Sequence, residues 1–373
     1  MVRLALRNLL QNRARLVVSI SGVALALSLI LALDAILVGA QQRLSAYIDE
    51  SGADVFVAQR GVRTMHMSGS VLPASVVDGL RRLPGVTAAD PILYVSSPVV
   101  LGNRRAPAYV IGVAPDATLG TPWRIAEGAS IPLRGEAIID RLVADESGVR
   151  LGDTVQILGR ELTLVGLAEG TVNLVNSIAF IALDDFASVR GGAPVVSYVL
   201  VRAAPGASAA VLAAEIEANI SGVTALPREQ FAREERSLTR DMMTDVITVM
   251  NLVGFLIGLS VLALTVYIAT FARRAEFGVL KAIGAANPDL YGMVLVQAVL
   301  SVALGLAAGL AFTLLLSAAV PLGAPELALV VSLPSVIKAA GLSLVIAALA
   351  AVLPIRQIAG VDPAIVFRGG ATR

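Results

Sequence analysis

Residues 273–290 read RRAEFGVLKAIGAANPDL, and they stand between two of the longest apolar runs in the chain. A bare connector between membrane helices needs only a polar turn. This stretch has helix-forming residues, mixed charge, and Phe277, Leu280 and Ile283 spaced by three as an apolar ridge. Gly284 is placed to close a short helix, and Asn287 or Pro288 to start the next one. An apolar ridge in a water-facing loop asks for a partner.

Four runs around it exceed the roughly 18 apolar residues that suggest a bilayer-crossing helix. They are predicted at residues 16–38, 246–271, 290–320 and 334–353, the last bounded by Pro334 and Pro354. A length of 373 residues, 56% of them hydrophobic and 15% charged, agrees with a membrane class. The mean hydropathy of +0.80 points the same way.

Orientation follows from the basic residues. Arg3, Arg7, Arg13 and Arg15 precede the first span; Arg273, Arg274 and Lys281 lie in the 272–289 loop; Arg356, Arg368 and Arg373 lie in the 354–373 tail. The short connector 321–333 holds no Lys or Arg. Four crossings put all three basic segments on the cytoplasmic side and residues 39–245 outside. Residues 1–15 alternate leucines with arginines, as an interfacial amphipathic helix does. The long apolar core that follows reads as an uncleaved anchor rather than a signal peptide.

The outside segment is mixed in composition, with β-rich runs such as DVFVAQ, AYVIGV, DTVQIL and VSYVLVRA between turn signals. PASVVDGLRRL and GASAAVLAAEIEANI read as helices within it. The fold class is therefore a four-helix α-helical membrane domain with a large α+β extracytoplasmic domain inserted between helices one and two. Residues 228–245, polar and free of proline, are predicted as a stalk helix running straight into the second span.

Several functions are excluded or disfavoured by residue type. The net charge of +1 leaves no footprint for nucleic acid. Without cysteine there are no disulfides or thiolate sites. No catalytic constellation is evident, so the chain reads as a non-catalytic subunit. No G-x-x-x-x-G-K-[ST] is present, so any ATP chemistry belongs to a partner. Ion coupling has little support: Asp34 and Lys338, both near the outer ends of their spans, are the intramembrane charges. Met65, His66 and Met67 carry soft donors suited to Cu(I), but they read first as a loop between strand and helix, and no metal is expected. Gly254-x-x-x-Gly258 and Gly305-x-x-x-Gly309 permit close helix contact, within the chain or in a dimer, with Asn251 beside the first pair.

Taken in order, these segments resemble the FtsX/MacB-type ABC permeases, with the flavour of DevC-like and LolC/E-like subunits that lack a fused ATPase. RRAEFGVLKAIGA resembles the family's loop motif, and PIRQIAGVDPAIVFRG its C-terminal ending. LGDTVQILGRELTLVGLAEG resembles a repeat of its extracytoplasmic domain, and LALRNLLQNRARLVVSISGVALA its opening. The resemblance implies that the 272–289 loop docks on an ATPase, which makes Arg273, Arg274, Glu276, Phe277, Leu280, Lys281, Ile283 and Gly284 the coupling residues. It implies ATP and Mg on that partner, with no cofactor in this chain. Other expected partners are a second copy or a paralogue, the bilayer and a periplasmic adaptor. The place is a bacterial inner membrane with both termini cytoplasmic. The expected role is mechanical transmission for export or extraction of a lipid, lipoprotein, peptide or drug. The alternatives are a regulator of an extracytoplasmic cell-wall hydrolase and a membrane-anchored binding or sensor module with no ATPase.

Overall fold

The computed structural model describes residues 13–360, apart from 67, 174, 175 and 325. Residues 1–12 of the amphipathic helix expected at 1–15, Met67, and the tail from residue 361 lie outside the described residues, while 13–15 are continuous with the first span. The chain divides into two compact units, Ala40–Met242 and a second made of the segments on either side of it. Helix α1, Arg13–Glu50, opens the described chain as a single 38-residue element. At about 1.5 Å per residue it is roughly 57 Å long, well beyond a hydrocarbon core of about 30 Å.

The Ala40–Met242 unit is built on strands β1 (Val55–Gln59), β2 (Leu72–Pro73), β3 (Val86–Ser96), β4 (Val99–Leu101) and β5 (Arg104–Ala106). Strands β6 (Ala108–Val113), β7 (Ile125–Gly128), β8 (Glu136–Asp140), β9 (Thr154–Ile157) and β10 (Arg160–Ala168) continue it. It closes with β11 (Ser177–Ala182), β12 (Val195–Val196), β13 (Tyr198–Ala203) and β14 (Val223–Pro227). Helices α2 (Ser75–Arg81), α3 (Arg141–Ser147), α4 (Leu183–Val189) and α5 (Ala209–Asn219) are interspersed.

The strands form one path, β14-β1-β13-β3-β6-β11-β8-β10-β9-β4-β5, with β7 added on β10 and β2 paired with β12 apart from it. Most pairings are antiparallel; β10 with β8 and β11 with β6 are parallel. Alternation along β1 and β13 shows how the layers arise, because successive side chains of a strand point to opposite faces. Val55, Val57, Val199 and Val201 pack in a cluster with Leu80 of α2 and Leu212 and Ile216 of α5. Phe56, Ala58, Tyr198 and Leu200 pack in the opposite cluster. There they meet Tyr47 and Ile48 from the end of α1, together with Phe231 and Ala232 from the start of the next helix.

That next helix, α6, runs from Arg228 to Ala272, so the stalk segment and the second span belong to one helical element of 45 residues. No proline or glycine interrupts its first half, and nothing in its sequence would kink it there. Helices α7 (Arg274–Ala282), α8 (Asn287–Gly323) and α9 (Leu333–Ala359) complete the second unit. Ser332 caps α9, its hydroxyl accepting from the Ser335 amide at 3.2 Å. Pro354, which suggests an end to the fourth span, is instead buried inside α9, which runs on to Ala359. Neighbouring helices hold it: Ile358 beyond the proline is buried in the core of this unit.

Helix α1 is the hub of that core. Val23, Leu27 and Ile30 pack with Leu262 and Val266 of α6, Val294, Ala298 and Val302 of α8, and Ile346 and Ala350 of α9. Among the described residues four helices, α1, α6, α8 and α9, are long and apolar enough to cross a membrane.

Candidate functional site

The amphipathic loop helix α7 is held from one side and open on the other. Phe277 is only 8% exposed and belongs to the core cluster of the membrane unit, and Gly278 is buried beside it. Lys281 donates from Nζ to the carbonyls of Ile358 at 2.8 Å and Ala359 at 3.2 Å. Those are the last carbonyls of α9, at the helix end that carries partial negative charge, so an ammonium there is favourably placed.

The C-terminal end of α7 is closed by two hydrogen bonds. Gly284 N–H donates to the Lys281 carbonyl at 3.1 Å, and Ala285 N–H to the Leu280 carbonyl at 2.9 Å. This is a Schellman closure. Gly284 has φ +100°, a region that glycine enters without a Cβ penalty.

The ridge predicted from spacing therefore divides. Phe277 faces inward and Leu280 is half-buried against the same cluster. The outward strip is Glu276, Val279 and Ile283, with Val279 44% and Ile283 76% exposed. Spacings of three and four put these residues on one face. Val279 was not legible as part of this strip, because an exposed apolar residue is recognised only once the helix's inner face is known. Arg273 is the N-cap position of α7, and the Arg274 guanidinium lies 5.5 Å from the ring centre of Phe271.

Both small-residue motifs are occupied within the chain. A Cβ on Gly254 would lie 3.0 Å from Ile30 Cγ1, and one on Gly258 3.1 Å from Ala26 Cβ. On Gly305 it would meet Val23 Cγ1 at 2.7 Å, and on Gly309 the Ala24 carbonyl oxygen at 2.8 Å. All four glycines thus face α1, where close approach lets backbones pack without a hydrophobic driving force. Asp34 and Lys338 form a pair rather than two separate charges. Lys338 Nζ lies 3.0 and 3.1 Å from the two Asp34 carboxylate oxygens, and Asn251 Nδ2 donates to Oδ1 at 3.4 Å.

A second polar centre lies in the Ala40–Met242 unit. Glu235, on the first turns of α6, is fully buried. Its carboxylate accepts from the Met65 N–H at 2.6 Å and lies 2.5 Å from His66 Nδ1. Beside it Glu234 pairs with Arg63 at the surface. Met65 is buried in the core, and the His66 ring stands edge-on to Tyr109 at 4.2 Å. The loop carrying Met65 and His66 is thereby clasped to α6. Among the described residues no group of three or more His, Asp or Glu side chains is placed to hold a metal ion. Burial pushes the Tyr94, Tyr109 and Tyr198 hydroxyls above the ordinary tyrosine range. The Glu235 charge adds to the rise in all three, while the Asn176 hydrogen bond tempers it at Tyr109. Glu235 itself gave no sequence signal beyond sharing a helix face with Phe231 and Ala232.

The sequence model for the MacB-like periplasmic core domain matches residues 16–219, and that for the FtsX-like permease C-terminal region matches residues 248–363. The chain belongs to this MacB/FtsX family of ABC transporter permeases. The permease is 24% identical over 378 residues to an uncharacterised ABC transporter permease of Mycobacterium tuberculosis, covering 98% of this chain and 99% of that one. It is 22% identical to the macrolide export ATP-binding/permease protein MacB of Shewanella oneidensis, covering 97% of this chain and 59% of that protein. Among solved structures it is similar to the periplasmic region of MacB from Actinobacillus actinomycetemcomitans, at 13% identity and a TM-score of 0.39, covering 50% of this chain and 94% of that one. The permease is a multi-pass membrane protein, and the α+β unit between its first two membrane helices is the counterpart of the periplasmic core domain.

Proposed function

We propose that this permease passes the ATP-driven motion of a separate ATPase, which holds the ATP and Mg, to its extracytoplasmic domain. The ATPase docks on the outward strip of α7, and both termini are cytoplasmic. A cargo of lipid, lipoprotein, peptide or drug is exported or extracted from the outer leaflet or beyond it. The observation that carries this reading is that α7 is anchored along one face and open along the other. Its outer face presents Glu276, Val279 and Ile283, while Phe277 and Lys281 fasten its inner face to the core and to the end of α9. A load on the outer strip therefore reaches the helix bundle rather than bending a loose turn. The uninterrupted α6 supports transmission in the same way, since a helix without a break carries displacement along its axis.

The test is co-purification from detergent-solubilised membranes. Wild-type chain is expected to retain an ATPase subunit, and Glu276→Arg combined with Val279→Ser and Ile283→Ser to lower its recovery roughly ten-fold or more. Undiminished recovery with that triple variant would sink the docking assignment.

A further inference from the structure

Between α6 and α9 lies a cleft of about 400 Å³, open on one side. Asn251, Leu252 and Phe255 line it from α6, and Lys338, Leu342 and Val345 from α9. Both helices run in the same direction, so the order of residues along them is also an order in depth. Thr248, Asn251 and Lys338 sit at the end of the cleft nearer the start of α9; Leu252, Phe255, Leu342 and Val345 follow as apolar wall. The cleft is thus polar at one end and apolar over the rest of its length. On the proposed topology, on which this inference rests, the polar end is at the outer face of the membrane.

The polar end has unused hydrogen-bonding capacity. An ammonium has three hydrogens, and the contacts of Lys338 at 3.0 and 3.1 Å with Asp34 use two of them. The Lys338 side chain is 47% exposed. Asn251 directs its amide nitrogen to Asp34, and its buried Oδ1 has no partner among the described residues. Asp34, 7% exposed, neutralises the charge, so the site offers a hydrogen-bond donor more than a net field.

We propose that this cleft binds one outer-leaflet phospholipid, with an acyl chain along the apolar wall and the acceptor oxygens of the ester or phosphate at Lys338. Taking about 30 Å³ for a water-sized group, the volume holds roughly a dozen methylene units, the scale of an acyl chain. A chain gains little by leaving other lipid chains for an apolar wall, since both surroundings are apolar. Retention therefore comes from the polar end.

The full chain, without nucleotide or ATPase, is reconstituted in vesicles doped with a phosphatidylglycerol carrying a diazirine in its acyl chain. After irradiation, adducts are mapped by mass spectrometry. Adducts are expected to concentrate on the peptides holding Leu252, Phe255, Leu342 and Val345, above those holding Leu315, which is 69% exposed on α8. Leu342→Trp, which fills the cleft, should lower them roughly ten-fold while leaving Leu315 unchanged. Asp34→Asn with Lys338→Gln removes the ammonium without stranding a buried carboxylate, and it should lower them by a similar factor. Adducts spread evenly over all exposed apolar residues, or unchanged in both variants, would overturn the proposal. So would efficient disulfide-linked dimers from Val345→Cys, unique in a chain without cysteine, which would show a second copy in the cleft. Because no ATPase is present, these outcomes are independent of whether α7 docks one.

Discussion

Removing the Glu235 carboxylate should loosen the extracytoplasmic unit far more than removing its neighbour Glu234. Glu235→Ala strands the Met65 N–H, in a residue 2% exposed, and deprives His66 Nδ1 of its carboxylate. Each buried group left without a partner costs about 1–3 kcal/mol, and breaking a buried charged contact from one side costs about 3–5 kcal/mol in total. Glu234→Ala breaks only a contact with Arg63 whose side chains are 35% and 46% exposed, worth about 0–1 kcal/mol. The sole tryptophan, Trp123, packs against the cluster that contains Phe231, so its fluorescence reports on this unit within the full chain. In a urea titration with a slope near 2 kcal/mol per molar, the Glu235→Ala midpoint should fall by roughly 1.5–2.5 M. Glu235→Gln, which retains one acceptor, should lose only about 1–2 kcal/mol. Equal midpoints for Glu235→Ala and Glu234→Ala would refute the claim that the loop of Met65 and His66 is clasped to α6 through this carboxylate.

Two further outcomes follow from packing and burial. Tyr94, Tyr109 and Tyr198 stay neutral in the native state to higher pH than in the unfolded chain, where tyrosine titrates near pH 10. Their contribution is undiminished below about pH 10 and lost as pH rises toward the native values, so the urea midpoint should fall progressively above about pH 10; tyrosinate absorbance should likewise show late-titrating groups that join the early ones on adding denaturant. In the membrane unit, Gly309→Ala should lower the thermal aggregation temperature more than Gly305→Ala, with Gly323→Ala nearly neutral. A Cβ at 309 meets backbone at 2.8 Å, at 305 a side-chain methyl at 2.7 Å, and at 323 nothing within 4 Å. The backbone contact cannot yield locally, and overpacking of this kind costs about 1–3 kcal/mol.

Much of the architecture was legible because local pattern carries it. The spans were visible as apolar runs, and α6 as a helix because residues 228–245 contain nothing to break one. Strands β1, β6 and β13 announced themselves by β-branched and aromatic residues between turn signals. Short elements were harder. Helices α3 and α4, seven residues each, and strand β14 depend on packing against the sheet more than on any periodicity. The Pro354 signal misled about length, since a buried helix end keeps its order through neighbours that local sequence does not name.

By itself, then, the sequence determined the membrane class, the number of spans, the place of the inserted domain and the helix-forming character of 273–290. It did so because hydropathy and turn chemistry are properties of neighbouring residues. Only the tertiary structure decided that Phe277 and Lys281 of α7 serve the core while Val279 and Ile283 face outward. It alone joined Asp34 to Lys338, 304 positions apart, and Glu235 to His66, 169 apart. Spacing along a helix says which residues share a face, but which face is covered depends on what another part of the chain brings to it.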